Sequence, residues 1–175
     1  MIKSLFTPRL VVAYIAVIAA VVLRLLPHWP NFTPVAAIAL FSGAIISRKS
    51  MAFLIPFAAL LISDLFIGFH STMVAVYVAF ALTVAIGFML RNRIKAGNVA
   101  LASVVSSVMF FLITNFGAWA SGMMPYPVNI QGLMMAYAAG IPFFNNGLIG
   151  DLFYSTVFFG GFYLISTKFP ILAKA

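Results

Sequence analysis

The chain has 175 residues, of which 65% are hydrophobic and 7% are charged, a composition that excludes a soluble domain because a soluble fold must cover its surface with polar groups. It predicts an all-α membrane protein with a single transmembrane domain over residues 1–175. The net charge of +8 comes from short basic clusters between apolar segments, a pattern that sets membrane orientation and excludes a nucleic-acid partner.

Six apolar segments follow one another along the chain. Each is predicted to be a transmembrane helix, because about 20 apolar residues cross the hydrocarbon core of a bilayer. The predicted spans cover residues 10–26, 35–47, 51–69, 72–90, 98–120 and 147–167. Residues 121–146 are predicted to form the longest outer loop. Within it, an apolar helix over residues 132–144 is too short to span, and Gly140 and Pro142 interrupt it.

The basic residues predict the orientation of these spans. Nine of the ten flank the spans on one side: Lys3, Arg9, Arg48, Lys49, Arg91, Arg93, Lys95, Lys168 and Lys174. The three connections on the other side contain no Lys or Arg. This asymmetry predicts a multi-pass protein of the bacterial inner membrane with both termini in the cytoplasm.

The chain has only two acidic residues, and both lie inside apolar segments, where a carboxylate is costly unless it is paired or hydrated. The predicted orientation places Asp64 near the outer end of the third span and Asp151 in the first turns of the last. Arg24, the tenth basic residue, lies at the same depth in the first span. We expect these three charges to form one cluster, with a bidentate Arg24 contact to either carboxylate. Two interpretations stay open: a salt bridge that orients helices, or a ligand site.

The first outer loop carries three prolines together with His28, Trp29 and Asn31. His70 ends the third span on the same side. A lone His at a membrane boundary is usually solvated and a Trp there is usually an interfacial anchor. The Trp can instead stack on a ligand, and the two His on the same side can ligate a metal or the metal of a cofactor. No resident metal or cofactor is predicted.

Further polar and aromatic residues lie near the outer side of the last two spans. Asn115 and Trp119 are four residues apart on one helix face, Tyr126 lies in the long outer loop, and Asn145 and Asn146 open the last span or cap it. The predicted substrate-binding residues are Arg24, His28, Trp29, Asn31, Asp64, His70, Asn115, Trp119, Tyr126, Asn145, Asn146 and Asp151.

Small residues form a stripe along the first span. Ala13, Ala16 and Ala20 follow one another at spacings of three and four, which allows close helix approach. The stripe is predicted to pack within the fold or against a partner membrane protein.

No catalytic motif is present in the sequence. It has no Gly-rich phosphate loop, zinc-protease helix motif or Gly-x-Ser-x-Gly. Ser63 and Asp64 are adjacent on a helix and diverge by about 100°, so they do not form a dyad. We therefore predict that the protein is not an enzyme.

Four motifs resemble a family of small bacterial membrane proteins described as transport proteins. They are RLLPHWPNFTPVAAIALF at 24–41, SDLFIGFH at 63–70, TNFGAW at 114–119 and IPFFNNGLIGDL at 141–152. The likeness covers nearly the whole chain.

The predicted architecture is also similar to the substrate-binding S components of energy-coupling-factor vitamin transporters. That resemblance implies six helices, an outward pocket capped by loops, and an alanine stripe, here Ala16 and Ala20, against a transmembrane coupling subunit with ATPases. Cobalamin-type S components reach the cobalt with a Cys, which this chain lacks, so His28 or His70 would take that role.

Together these features predict a membrane-embedded binding and uptake component for a small vitamin-like molecule, with a cobalamin-type compound as one candidate. The alternatives are a structural or assembly protein whose charges orient helices, and a small membrane enzyme.

Overall fold

The computed structural model describes residues 8–168, and within this range the chain forms six α-helices and no strands. The helices are α1 (Pro8–Leu25), α2 (Val35–Ile45), α3 (Lys49–Ile67), α4 (Met73–Leu90), α5 (Ala96–Ala120) and α6 (Ile130–Lys168). The first five agree with the predicted spans to within two residues at each end. The described side chains leave out residues 8–10, 12, 13 and 16.

Four helices, α3 to α6, are long and apolar enough to cross a membrane, and α2 is a shorter apolar helix of 11 residues. These lengths confirm an all-helical fold and indicate a membrane protein. At 1.5 Å per residue, α2 rises only about 16 Å, roughly half the thickness of a hydrocarbon core.

Consecutive helices pack antiparallel, and α1 lies parallel to α3. The side-chain contacts that join them pair Arg24 with Asp64, Ser42 with Ala52, Asp64 with Tyr77, Phe80 with Phe110, and Ser107 with Asp151. The bundle therefore has two distinct ends. We call one the basic end, because its connections 46–48 and 91–95 contain four Lys or Arg residues. The other is the neutral end, whose connections 26–34, 68–72 and 121–129 contain no Lys, Arg, Asp or Glu.

Helix α2 forms the centre of the protein, and all of its residues from Val35 to Ile45 are buried. Its last turn is held at the basic end by Arg91, the residue that follows α4, whose guanidinium donates to the carbonyls of Gly43 at 3.0 Å and Ile46 at 2.5 Å. Because α2 is short and anchored there, the chain that precedes it must enter the bundle from the neutral end. Phe32 accordingly packs on α6, where a Cβ on Gly150 would lie 3.2 Å from its Cα.

Helix α6 overturns the predicted boundary between the outer loop and the last span. It runs for 39 residues without a break, so the loop is limited to residues 121–129 and the predicted helix 132–144 is its first third. Pro142 removes one backbone N–H from the helix but does not end it. Gly140 marks a close approach to α5 instead, since a Cβ there would lie 2.8 Å from the Phe111 ring.

Of the three residues in the alanine stripe, only Ala20 has a described side chain. Ala20 is completely buried in a core cluster that includes Ile38 of α2 and Ala59 of α3. Ala20 therefore packs within the fold, which is one of the two arrangements predicted for the stripe. The side chains of Ala13 and Ala16 lie outside the described residues, as do Lys3 and Lys174, which contributed to the predicted orientation.

Candidate functional site

The two acids occupy separate sites. Asp64 lies in the last turn of α3 and Asp151 lies near the middle of α6. Among the described side chains, no hydrogen bond or ion pair joins Asp151 to Arg24 or to Asp64. The expected contact between Arg24 and Asp64 is present, but the three-charge cluster is not. The error follows from the start of α6, which places Asp151 deeper than an α6 beginning at residue 147 would.

Asp64 has a partner on each carboxylate oxygen. Arg24 Nη1 lies 2.6 Å from Oδ1, and the Tyr77 hydroxyl donates to Oδ2 at 3.0 Å. The same Arg24 nitrogen also contacts Ser63 Oγ and donates to the Leu60 carbonyl at 3.3 Å. Arg24 therefore reaches Asp64 through one nitrogen rather than through the expected bidentate contact. Asp64 is 1% exposed, and its charge is neutralised by its own chain.

Asp151 is also buried, but its surroundings differ. Its one described side-chain partner is Ser107 of α5, which donates to Oδ2 at 2.6 Å. One turn closer to the basic end, Ser103 donates to Ser155 at 2.9 Å. The residues on each helix are four apart and therefore share a face, so they line one polar seam between α5 and α6. The four-residue spacing can be read from the sequence, but of these four residues only Asp151 was predicted to belong to a site, because it is an acid in an apolar segment.

A small cavity of about 60 Å³ adjoins Asp151, between α5, α6 and the segment that precedes α2. A buried water needs about 10–15 Å³ measured in this way, so the cavity holds roughly four. Its polar lining includes, besides Asp151 and Ser107, the side chains of Asn31, Thr33, Thr114 and Asn115. The polar lining and the mid-helix carboxylate make this cavity the candidate functional site.

Four phenylalanines complete the wall of the cavity: Phe110, Phe111, Phe143 and Phe144. The rings of Phe111 and Phe144 lie 5.0 Å apart, and Phe110 packs on Phe80 of α4 at 5.2 Å. These residues were not predicted, because Phe in an apolar span is as readily explained by lipid contact as by a binding site.

Two predicted site residues besides Asp151 line the cavity. Asn31 has a φ of 63°, a left-handed conformation that Asn tolerates better than most residues. Asn115 donates its amide N–H to the Phe111 carbonyl at 2.9 Å, so its Oδ1 remains an acceptor. Both are brought to Asp151 by the short α2 and by the close approach of α5 to α6.

The two histidines lie in connections at the neutral end and do not line this cavity. The His28 ring contacts the carbonyls of Arg24 and Trp29 at 3.2 and 2.8 Å, so both of its nitrogens face its own backbone. His70 Nδ1 contacts Thr72 Oγ1 at 2.8 Å. Among residues 8–168, no group of three His, Asp or Glu side chains could hold a metal ion.

The remaining predicted residues lie outside the cavity lining as well. Trp29 is 72% exposed, and Trp119 donates its indole N–H to the Pro127 carbonyl at 3.0 Å, which ties the 121–129 connection to α5. Tyr126 is half-buried in that connection. Asn145 and Asn146 lie inside α6 and do not cap a helix start, because α6 begins at residue 130.

Comparison with known proteins identifies one family. A family model described as a family of unknown function (DUF6580) matches residues 4–172, so the chain belongs to that family. No curated protein matches the chain. No solved structure matches it. The family carries no assigned activity, so transport and the likeness to S components remain expectations.

Proposed function

We propose that this member of the DUF6580 family is a membrane-embedded binding and uptake component for a small solute, which binds in the cavity beside Asp151. The observation that carries the proposal is a buried carboxylate in mid-helix that has one hydroxyl partner and opens onto a polar cavity. An acid at the centre of a membrane helix costs about 2.5–3.5 kcal/mol on insertion scales. An apolar residue would pack α5 against α6 without that cost, which favours a binding role for Asp151.

The orientation follows from the charges at the two ends. We propose six spans in a bacterial inner membrane, with the basic end and both termini in the cytoplasm. The neutral end then faces outward, and Asn31 and Thr33 of its connection 26–34 line the site. Solute would enter from that side.

The size of the cavity limits the size of the solute that it can bind. Pockets for drug-sized ligands measure about 300–1,000 Å³. A cavity of about 60 Å³ accepts a small solute, or one group of a larger one, and a cobalamin-type compound would not fit without extensive opening. We therefore propose a small solute as the substrate in place of a large vitamin.

Release toward the cytoplasm requires the walls of the cavity to separate. The 26–34 segment connects α1 to α2 in turn and irregular conformations, so it can move while the helices stay folded. The movement would be driven by the solute alone or by a transmembrane coupling subunit with ATPases.

A pair of glycine variants tests the site. A Cβ at Gly140 would lie 2.5 Å from Asn115 Oδ1 and 2.8 Å from the Phe111 ring, whereas a Cβ at Gly160 in the same helix meets nothing within 4 Å. We expect purified protein in lipid nanodiscs to be thermally stabilised by at least one compound in a screen of small metabolites. Gly140→Ala should abolish that shift and uptake into proteoliposomes, and Gly160→Ala should leave both intact. If no compound stabilises the protein, or if both variants behave alike, the proposal is wrong.

The alternative is a structural or assembly protein, and the closed Arg24–Asp64 pair favours it because that pair needs no ligand. In that case Asp151→Asn would lower the yield of folded protein. Gly140→Ala would change stability, and there would be no solute binding for it to abolish. The two functions therefore predict opposite results for residues of the same cavity.

A further inference from the structure

The Asp151 cavity combines one carboxylate with four phenylalanines, and this combination indicates the chemical class of its ligand. On the premise of the proposed function, we propose that the cavity binds an ammonium cation, either a small amine or the ammonium group of a larger molecule. Four observations support the assignment: the unmatched charge, the aromatic wall, the oxygen acceptors and the volume.

The Asp151 carboxyl group has no cation partner within the described part of the chain. Arg24 is paired with Asp64, and Arg91 is bound to the carbonyls at the end of α2. The cations in the connections 46–48 and 91–95 belong to the basic end, away from the middle of α6. A ligand with one positive charge would neutralise Asp151 and offset the desolvation of both groups.

The aromatic wall distinguishes an ammonium cation from a metal ion. Phenylalanine faces attract weakly hydrated organic cations through the ring quadrupole, and aromatic residues around a carboxylate are a common way to bind alkylammonium groups. Na⁺ and Mg²⁺ require several oxygen ligands in place of their water. The four phenylalanine side chains offer no ligand to such an ion, whereas they can contact an alkylammonium group.

The oxygen atoms of the cavity lining suit the N–H groups of an amine. Thr33 and Thr114 contribute hydroxyls, and Asn115 contributes its Oδ1 because its amide nitrogen is bound to the Phe111 carbonyl. Thr114 donates to the Phe110 carbonyl at 2.8 Å, so its oxygen is left to accept. Each of these groups can accept a hydrogen bond without giving up an existing one.

The volume sets the size of the bound group. Space for about four waters corresponds to about four or five heavy atoms, the size of trimethylammonium or tetramethylammonium. A larger amine would place only its ammonium group in the cavity.

Equilibrium binding to the full chain in lipid nanodiscs tests this assignment. The probes are methylammonium and tetramethylammonium chloride, with tert-butanol as a neutral compound of similar size, pivalate as an anion and NaCl as the ionic-strength control. We expect saturable binding of at least one ammonium probe, with no binding of tert-butanol or pivalate. Asp151→Asn should weaken it at least tenfold, and Phe144→Leu about twofold to thirtyfold, the range that cation–π energies predict.

The outcomes separate this inference from the function on which it rests. Binding of tert-butanol as tight as that of tetramethylammonium, or displacement of the cation by Na⁺ at equal concentration, would overturn the ammonium assignment and leave a solute site in place. If the metabolite screen finds a ligand that Gly140→Ala blocks while no ammonium probe binds, only this inference fails. If neither the screen nor the probes show binding, both fail. Should Asp151→Asn not fold, Phe144→Leu decides the ammonium assignment, because it removes an aromatic ring and no charge.

Discussion

Asp64 and Asp151 are the same residue type, buried in apolar helices of the same bundle, and yet they are satisfied to different extents. Asp64 has an arginine on one oxygen and a tyrosine on the other. Asp151 has a serine on one oxygen and a cavity beside it. A buried carboxylate whose oxygens are both bound by its own chain stabilises helix packing. A buried carboxylate with only one such partner is available to bind a ligand.

The largest effect is expected from breaking the closed pair. Arg24→Gln leaves Asp64 as a buried charge without a cation, which should cost about 3–5 kcal/mol of folding free energy. Unfolding in mild detergent, followed by helical circular dichroism, measures this loss. The matched control is Arg91→Gln, which removes a partly buried arginine without leaving an acid behind and should cost less. A loss below about 1 kcal/mol for Arg24→Gln would remove the distinction between the two acids.

The second partner of Asp64 should have an intermediate effect. Tyr77→Phe deletes one hydrogen bond to a charged group and should cost about 1.5–3 kcal/mol. Tyr137→Phe is the control, since the Tyr137 hydroxyl donates to the neutral Leu112 carbonyl at 3.0 Å and its loss should cost about 0.5–1.5 kcal/mol. Equal losses in the two variants would indicate that Asp64 is not held as a charged acceptor by Tyr77.

A smaller effect on stability is expected at Asp151. Asp151→Asn keeps an oxygen that can accept from Ser107 and removes no cation partner, so the free energy of unfolding should change by less than about 1 kcal/mol. The same variant should lose ligand binding. The measurement is the unfolding assay used for Arg24→Gln, and a destabilisation as large as in that variant would assign Asp151 a structural role.

The smallest effect concerns a third polar group on α5. Among the described residues, the Ser106 hydroxyl is the one buried side-chain polar atom without a partner. Ser106→Ala should leave stability unchanged or raise it by up to about 1 kcal/mol, because no hydrogen bond is lost and a desolvated hydroxyl is removed. Ser107→Ala, which removes the partner of Asp151, should be the less stable of the two in the same assay. The reverse order would show that the Asp151–Ser107 contact contributes nothing.

The bounds of a helix were predicted well wherever hydropathy alone determines them. The bounds of α1 to α5 follow from uninterrupted apolar runs that end at prolines, glycines or basic residues. The start of α6 was wrong because Gly140 and Pro142 resemble a break, although a proline removes only one hydrogen bond and the glycine is there for close packing. Whether a glycine or a proline ends a helix or lies inside it depends on the helices that pack against it. The sequence does not show which helix surfaces these are.

The candidate site was predicted in part for a related reason. Arg24 and Asp64 are near helix ends whose positions were correct, so their contact was expected. Asp151 was placed by a helix start that was wrong, and so its true partner Ser107 was missed. The phenylalanines of the cavity could not be predicted as site residues, because the same residue type is also expected at lipid-facing positions. Asn31 and Asn115 were found because an amide in an apolar segment needs a partner.

The length of α6 has a mechanical consequence. Its 39 residues extend for about 58 Å, almost twice a hydrocarbon core, so one rod carries both the helical turns at the neutral end and Asp151. Pro142 lies between them and lacks the backbone N–H that would stiffen the helix at that point. A push on the turns near residue 130 that tilts the whole rod therefore moves the carboxylate, whereas a bend at Pro142 absorbs the push before it arrives. A tilting α6 would couple the neutral end to the interior without a separate linkage.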